Sequence, residues 1–442
     1  MRKQAAWAAG VATANITPPV GIEMSGFAGR APSVGVGDEL YATALVVRDG
    51  TTRAAIVALD LLYVDAAFVE QVCAEVARRT RIPAGNVLLC CTHTHYGPVT
   101  GAFEADAVGS DGHAYMADLK FKLAGVVQEA KANLRTAVAR IGYAASDIGI
   151  NRRERKADGG IVLGQNPRGA VDREVVVLRV DRPKGAPVAC LVNFACHAVS
   201  QSGRGRMISA DFPGVACDVV EELTGSACLY LQGACGNINP VIMELGAESP
   251  RRLGTMLGAQ AVQAYEAAAP IEAAPVRVAS RRVRLPAKTF ASVKEAEQTV
   301  SSLAEELERL RAGRAPKSSL YWVNTRLERA RASLENLKAG KPQPPVVAAM
   351  WALRLGELGL ATAPGEIFCE IGQAVKQASP FRHTMFVGYT NGSIGYVPVA
   401  EAYPEGGYEV THASRVGPGA AGMVTDTALA LLRRVKGAKG QS

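Results

Sequence analysis

The sequence lacks a hydrophobic run long enough to cross a membrane, a long block of basic residues, and any Cys-x-x-Cys pair. A spanning helix needs about 20 consecutive apolar residues, so no transmembrane segment is expected. The net charge of +8 is spread over many arginines and lysines without interleaved aromatic residues. This spread is typical of a solvated surface and disfavours a nucleic-acid groove, although it would suit anionic substrates or membrane surfaces.

Nine cysteines are scattered along the chain, mostly inside apolar, strand-like runs. An odd number of scattered cysteines predicts reduced core thiols rather than a disulfide framework. The N-terminus begins with basic residues but lacks the continuous apolar segment of a signal peptide. We therefore expect a cytoplasmic protein, with secretion left open if a signal has been trimmed.

Apolar strand-like runs alternate with helical stretches along most of the chain. The runs are residues 42–48, 54–64, 86–91, 174–180, 188–195 and 227–233, and the helical stretches are 66–80, 116–134 and 250–268. With 48% hydrophobic and 20% charged residues, the chain can bury a large core. The pattern predicts an α/β fold, a layered mixed β-sheet core flanked by helices and covered on both faces.

Residues 290–340 differ from their surroundings, because apolar positions step by three and four among many charges. This spacing predicts an inserted helical hairpin with a coiled-coil-like seam. The hairpin would be either a plain surface element or a lid over a site. After it, residues 347–366 predict a β-hairpin that returns to the main sheet.

Histidines are rare, and their placement is informative: only six occur, and three follow apolar strands. Because side chains alternate along a strand, His93 and His95 project from the same side of a strand end. His197 follows a second strand of similar character. A catalytic zinc prefers about three protein ligands and an open position, and Glu366, after a Pro-Gly turn, offers a carboxylate. These residues predict a metal site at the strand ends.

Eight motifs occur in the order found in the neutral/alkaline, non-lysosomal ceramidase family, which the chain resembles over nearly its whole length outside residues 290–340. The motifs are "NITPPVG" (15–21), "CTHTHYGP" (91–98), "INRR" (150–153), "NFACHAVS" (193–200), "SADFPG" (209–214), "LQGACGNINP" (231–240), "APGEIF" (363–368) and "TNGSIGYVP" (390–398). The resemblance implies a single catalytic domain over residues 1–442. It also implies a zinc-dependent hydrolase that splits an N-acyl-sphingoid amide.

The resemblance also implies roles for individual residues. The zinc ligands would be His93, His197, Glu366 and Tyr396. His95 and Arg152 would lie beside the metal and contact the substrate amide or the developing oxyanion. Arginine is permanently charged, which suits an oxyanion, and His95 could pass a proton to the leaving nitrogen. A buried, hydrogen-bonded tyrosine without a metal stays open as the alternative for Tyr396.

The sequence departs from the family pattern in several places. "GNINP" stands where ceramidases have "GDVSP", so Asn239 replaces the proposed serine nucleophile and Asn237 replaces an aspartate. An amide side chain cannot attack, yet it can donate a hydrogen bond to an oxyanion, so we expect attack by metal-activated water. "CHA" also replaces the common "CHP". The chain ends soon after the last motif, so the C-terminal β domain of known ceramidases is expected to be absent.

The sequence is also compatible with two other functions. The chain could be a metallohydrolase for an ester, a lactone or a small cyclic amide, or a non-catalytic metal-binding relative that keeps the fold. Asp60 and Asp211 could orient histidines or cap helices, and Cys235 lacks the accompanying signature of a nucleophile. We expect a small N-acyl or lipid-like substrate. The oligomeric state and the metal, beyond a zinc-like ion, are not specified.

Overall fold

The computed structural model describes residues 7–100, 110–315 and 317–437, so the basic start of the chain lies outside the described residues. Its strands are β1 (Trp7–Asn15), β2 (Gly35–Val36), β3 (Tyr41–Arg48), β4 (Arg53–Leu59), β5 (Val87–Cys91), β6 (Arg135–Ala145), β7 (Gly149–Arg155), β8 (Ile161–Asn166), β9 (Glu174–Asp181), β10 (Pro187–Phe194), β11 (Met207–Ile208), β12 (Ala227–Gln232), β13 (Ile238–Pro240), β14 (Ala269–Pro270), β15 (Arg277–Leu285), β16 (Val346–Leu355), β17 (Leu358–Thr362), β18 (Glu366–Ile367), β19 (His383–Val387) and β20 (Tyr396–Val397). Its α-helices are α1 (Ala66–Thr80), α2 (Ser110–Ala132), α3 (Asp211–Thr224), α4 (Glu248–Glu266), α5 (Val293–Ala312), α6 (Lys317–Lys338), α7 (Cys369–Gln377), α8 (Ala402–Glu405) and α9 (Ala420–Lys436). A 3₁₀ turn (Ala84–Asn86) precedes β5, and a π-helical turn (Glu409–Ala413) follows α8.

The largest sheet is mixed, open and strongly curled. Its strands follow the order β12, β10, β9, β6, β1, β3, β4 and β5, with β14 beside β6. The β10–β12 and β4–β5 pairs are parallel, and the neighbouring pairs between them are antiparallel. Although β12 and β5 end this order, the curl brings them close to each other. The ends of distant strands therefore meet.

A second sheet packs against one face of the first, which gives four layers. Its order is β15, β16, β17 and β19. Helices α1 to α4 cover the other face of the large sheet, and α7 and α9 cover the outer face of the second sheet. Strand β4 is buried on both faces, because Ile56 faces the second sheet and Val57 faces the helices. This explains why its sequence is apolar at successive positions instead of at alternate ones. The predicted layered α/β fold is confirmed.

The predicted β-hairpin at residues 347–366 forms, but its predicted place in the fold is wrong. Strands β16 and β17 pair antiparallel, as expected from the sequence. They join the second sheet, between β15 and β19, instead of returning to the large one. The alternation of apolar residues shows that a strand exists, but it does not identify the distant partner that the strand will find.

The predicted helical hairpin also forms, as α5 and α6. Its seam fully buries five of the nine apolar positions that the spacing predicts, namely Leu303, Leu307, Val323, Leu327 and Ala330. The other four, Val300, Leu310, Leu334 and Leu337, are half-buried. The hairpin reaches the π-helical turn, where an Arg326 guanidinium nitrogen lies 2.9 Å from Nδ1 of His412. Within the described residues, no helix has an apolar stretch of membrane-spanning length.

The close approach of α4 to the large sheet depends on Gly142 in β6. A Cβ at this position would lie 1.8 Å from the carbonyl oxygen of Ala264. We expect Gly142→Ala to lower the free energy of unfolding by about 2–3 kcal/mol, because the helix must move away. Urea denaturation followed by circular dichroism measures this change.

Gly125 in α2 provides the matched control, because a Cβ there would meet nothing within 4 Å. Gly125→Ala should leave the free energy of unfolding unchanged or raise it by about 0.5–1 kcal/mol, because alanine reduces the conformational entropy of the unfolded chain. Equal unfolding midpoints for the two variants would contradict the assigned helix–sheet contact.

Candidate metal centre

The three predicted histidines converge where the segment after β5 meets the segment after β10, with the His95 backbone N–H donating to the Ala198 carbonyl at 3.0 Å. His93 and His95 follow β5, and His197 follows β10. The ligand nitrogens of the three rings lie within 4.8 Å of one another. Among the described residues, no other set of three or more histidine, cysteine or carboxylate side chains brings its ligand atoms this close together. The structure thus brings together the three histidines that the sequence places at strand ends.

Gln232 at the end of β12 holds the two histidine-bearing segments in place. Its Nε2 donates to the carbonyl oxygens of Thr92, at 3.0 Å, and Cys196, at 2.8 Å. These residues immediately precede His93 and His197. The fully buried amide therefore ties both strand ends to one side chain. The sequence reasoning did not identify this residue.

Backbone carbonyls fix the orientation of each imidazole ring. When Nδ1 donates its proton to a carbonyl, Nε2 carries a lone pair, which is the form that binds a metal. The Nδ1 atoms lie 2.8 Å from the oxygen of Leu62 for His93, 2.7 Å from that of Cys235 for His197, and 3.1 Å from that of Gly26 for His95. The three Nε2 lone pairs consequently point at a common centre. His93 adopts a left-handed backbone conformation, with φ of 66°, to reach it.

Glu366 and Tyr396 enter the same centre as neighbours in a short parallel sheet. Strands β18 and β20 pair so that Glu366 stands opposite Tyr396. The Glu366 Oε2 atom lies 3.1 Å from Nε2 of His197 and 3.4 Å from Nε2 of His93. The Tyr396 hydroxyl lies 3.4 Å from Nε2 of His197. All four predicted ligands thus lie around one point.

Arg152 and Asn239 form the next layer of the site. Strands β7 and β13 pair antiparallel with Asn239 opposite Ile150, so Asn239 lies diagonally across from Arg152, two residues further along β7. One Arg152 terminal nitrogen donates to the Tyr396 hydroxyl at 2.9 Å, and the other donates to Oδ1 of Asn239 at 3.3 Å. That second nitrogen also lies 3.4 Å from Nε2 of His197. The fork of the guanidinium therefore faces the centre.

Glu409 is a site residue that the sequence reasoning missed. Its fully buried carboxylate accepts from Nε of Arg152 at 2.7 Å and from a terminal nitrogen of Arg153 at 2.8 Å. A buried guanidinium requires an anionic partner, so the two adjacent arginines within β7 were a signal that such a carboxylate exists. Nothing in "GGYEVTHAS" marks Glu409 as that partner.

The environment sets the charges expected at neutral pH. Burial, with the positive Arg152 nearby, lowers the pKa of His197 to about 4. Burial and the other two histidines hold the pKa of His95 well below its usual range. Burial would raise the pKa of Glu366, but its contacts with His197 and His93 outweigh burial and lower it. Neutral imidazoles and an ionised carboxylate are the forms that ligate a metal.

The donor set fits a zinc-like ion. Two ligands at about 2.0–2.1 Å from a tetrahedral zinc are separated by about 3.3 Å. Three separations within the proposed ligand set match this value: 3.1 Å between His197 and Glu366, 3.4 Å between His93 and Glu366, and 3.4 Å between His197 and Tyr396. His95 Nε2 lies 3.3 Å from Nε2 of His93 and is also within reach. Without a cation, the converging lone pairs and the carboxylate would repel one another.

The centre has a buried side and an open side. His93, His197, Arg152 and Tyr396 are each at most 5% exposed. His95, Glu366 and Asn239 are partly exposed. A substrate would approach the centre from the side of these three residues.

The remaining sequence candidates have structural partners. Asp211 accepts from both the backbone and the hydroxyl of Ser200, and Asp60 accepts from the backbone of Tyr41. Asn237 joins the site loop to α7, because its amide donates to Glu370 and its Oδ1 accepts from the Cys369 backbone. Burial raises the pKa of the Cys235 thiol, which does not favour a nucleophile.

Comparisons with known proteins agree with the motifs. A profile described as "Neutral/alkaline non-lysosomal ceramidase, N-terminal" matches residues 7–233, just over half of the chain. The neutral ceramidase of Pseudomonas aeruginosa is 24% identical over 380 residues, which cover 73% of this chain and 56% of that protein. The match thus spans little more than half the length of this relative.

Two solved structures share the fold. A crystal structure of neutral ceramidase from Pseudomonas aeruginosa has a TM-score of 0.74 and 21% identity, and covers 98% of this chain and 75% of its own. A structure described as "Ceramidase complexed with C2" has a TM-score of 0.74 and 20% identity, with 98% and 76% covered. The chain belongs to the neutral/alkaline non-lysosomal ceramidase family.

Proposed function

We propose that this protein is a zinc-dependent hydrolase that cleaves the amide bond of an N-acyl, ceramide-like substrate with water as the nucleophile. The observation that carries the proposal is the convergence of His93, His197 and Glu366 on one centre beside a buried, permanently charged Arg152. Membership of the ceramidase family supports an N-acyl lipid as the substrate class.

Four side chains would hold the metal: His93, His197, Glu366 and Tyr396. When bound, zinc supplies Lewis-acid polarisation of a carbonyl and lowers the pKa of water toward 7. The Tyr396 hydroxyl accepts a hydrogen bond from Arg152; burial raises the pKa of this phenol, and the positive charge of Arg152 offsets only part of that rise. The distance of 3.4 Å between the hydroxyl and Nε2 of His197 supports Tyr396 as a ligand over a purely structural tyrosine.

Arg152 and Asn239 would stabilise the negative charge that develops on the amide oxygen. The Arg152 fork already faces the centre, and its Nε is anchored by Glu409, so little reorganisation is needed. The Asn239 side chain is partly exposed next to that fork and can turn its amide group toward an oxyanion. An asparagine cannot supply a nucleophilic hydroxyl, which supports attack by water.

His95 would pass a proton to the leaving nitrogen. It lies on the open side of the centre, with Nδ1 near the Gly26 carbonyl and Nε2 directed inward. Phe27 packs edge-on against the ring, with the ring centroids 5.2 Å apart. The ring is therefore held in position while its Nε2 can accept a proton and release it.

Removal of the metal should abolish cleavage. We expect dialysis against a chelator to reduce hydrolysis of a short-chain N-acyl sphingoid amide to background, and added zinc to restore it. Mass spectrometry of the released fatty acid and amine measures the reaction across amides and esters of graded chain length. Protein dialysed without chelator is the control. Full cleavage by protein shown to be metal-free would contradict the proposal, and cleavage of esters alone would contradict the assigned amide substrate.

A further inference from the structure

Residues 25–30, with the sequence "SGFAGR", enclose His95, and we call them the cradle segment. The segment begins at Ser25, whose backbone N–H donates to the carbonyl oxygen of Gly97 at 3.0 Å, so it lies beside the residues that follow β5. His95 is the proposed proton donor to the leaving nitrogen, and such a group must be held in one orientation relative to the substrate. The cradle segment is in the right place to provide that restraint.

Gly26 allows the cradle segment to approach the His95 ring directly. Its φ is 95°, and a Cβ at this position would lie 2.7 Å from Cβ and 2.8 Å from Cγ of His95. Only glycine accepts both the backbone conformation and the close approach. Its carbonyl oxygen lies 3.1 Å from Nδ1 of His95. The backbone of the cradle segment therefore contacts the imidazole itself.

Arg30 connects the cradle segment to the backbone of His95. One of its terminal nitrogens donates to the carbonyl oxygen of His95 at 2.6 Å and also to that of Ser25. The other terminal nitrogen donates to the carbonyl oxygen of Gly205 at 3.4 Å. Because a guanidinium holds its N–H groups in one rigid plane, this side chain joins three stretches of backbone that are far apart in the sequence.

The aromatic neighbours of Arg30 also lead to His95. The guanidinium carbon lies 5.1 Å from the centroid of the Phe27 ring and 5.4 Å from that of the Tyr96 ring. Phe27 is the residue that packs edge-on against the His95 ring, and Tyr96 follows His95 in the chain. Arg30 is 6% exposed. Burial of a guanidinium costs free energy that an apolar side chain of similar length would not, so the contacts with His95 indicate a role beyond filling space.

We propose that Arg30 is a positioning residue that keeps the His95 ring in place for proton transfer. The inference rests on the proposed hydrolase function, in which His95 takes the proton that the attacking water releases and passes it to the nitrogen as the C–N bond breaks. Arg30 would act through the carbonyl group of His95 and through the Phe27 ring. Its loss should leave the metal bound and let the His95 ring move.

A double-mutant cycle with His95 tests the proposal. Arg30→Met keeps a similar length without N–H donors, and should lower kcat for a short-chain N-acyl sphingoid amide about thirtyfold, with zinc retained and KM changed less than about twofold. In the His95→Gln background the same substitution should lower kcat less than about twofold further, because the group that Arg30 positions is already absent. Arg30→Lys should recover only part of the loss, since it restores the charge but not the planar fork.

Two further variants support the cycle. Arg206→Met is the matched control, because Nε of Arg206 donates to the carbonyl oxygen of Pro32 at 2.7 Å, and it should keep the wild-type kcat. Phe27→Leu, at a half-buried position, replaces Arg30→Met if that variant does not fold, and should lower kcat about fivefold only where His95 is present. Hydrogen exchange of folded Arg30→Met should be faster in residues 93–99 and unchanged in α9.

Several results would overturn the inference. Equal losses of kcat with and without His95 would show that Arg30 acts on the site as a whole. Wild-type kcat in folded Arg30→Met, an equal loss in Arg206→Met, loss of zinc, or faster hydrogen exchange throughout the chain would each contradict a positioning role. If the zinc-loaded wild type cleaves no amide, the proposed function itself fails, and this inference fails with it.

Discussion

His197→Ala is expected to lose bound zinc and to lower kcat/KM for an N-acyl amide by at least about a thousandfold. The side chain is completely buried, and its Nε2 lies within 3.4 Å of Glu366, Tyr396 and Arg152. It is thus in contact with both the proposed ligands and the proposed oxyanion group. Zinc content by mass spectrometry and steady-state kinetics measure the two effects. Circular dichroism shows whether the variant is folded.

His113→Ala serves as the matched histidine control. His113 is exposed on α2, and its substitution should leave zinc content and kcat/KM unchanged. Stoichiometric zinc in folded His197→Ala would contradict the ligand assignment. Loss of activity with zinc retained would instead move His197 from the ligands to the substrate-contacting residues.

Glu409→Gln is expected to lower kcat about a hundredfold while zinc stays bound. The change preserves the size of the side chain but removes a carboxylate that contacts both Arg152 and Arg153. Two buried guanidinium groups would then lack their shared counterion, so we also expect a loss of about 3 kcal/mol in the free energy of unfolding. The Arg152 fork would no longer be held toward the substrate oxygen. Kinetics at a temperature where the variant is fully folded measure the effect.

Glu405→Gln is the control that distinguishes a loss of kcat caused by misplacement of Arg152 from one caused by a general loss of stability. Glu405 contacts Arg153 at 3.3 Å and Arg155 at 2.5 Å but belongs to the more exposed end of this charge network. Its substitution should leave kcat unchanged. A positioning role for Glu409 also predicts that Glu409→Asp recovers part of the lost kcat, because a carboxylate is restored. Wild-type kcat in folded Glu409→Gln would contradict this role.

Local patterns in the sequence predict much of the fold, and long-range pairing accounts for what they miss. The bounds expected for α1 coincide with the observed helix, where Asp65 caps the first turn by accepting from the backbone of Phe68. The β16–β17 hairpin was equally visible. Its membership of a second sheet depends on β15, about 70 residues earlier, and on β19. No local pattern encodes that choice.

The sequence predicts the side chains that face the metal centre, but it does not predict the residues that hold those side chains in position. Residue chemistry and strand ends identified His93, His95 and His197, and the family motifs added Tyr396 and Arg152. The sequence did not identify Glu409 and Gln232 as site residues, because each forms its hydrogen bonds with residues far away in the chain. A buried charge or amide shows that some partner must exist. The identity of that partner follows from the three-dimensional fold alone.

The parallel pairing of β18 with β20 has a consequence for folding as well as for chemistry. His93 and His197 belong to the large sheet, whereas Glu366 and Tyr396 come from the part of the chain that forms the second sheet and its helices. A bound metal would therefore act as a cross-link between residues roughly 300 positions apart, closing a long loop of chain. Its binding free energy would count toward the association of the two sheets. The interface between the sheets should accordingly exchange its amide hydrogens faster once the metal is withdrawn.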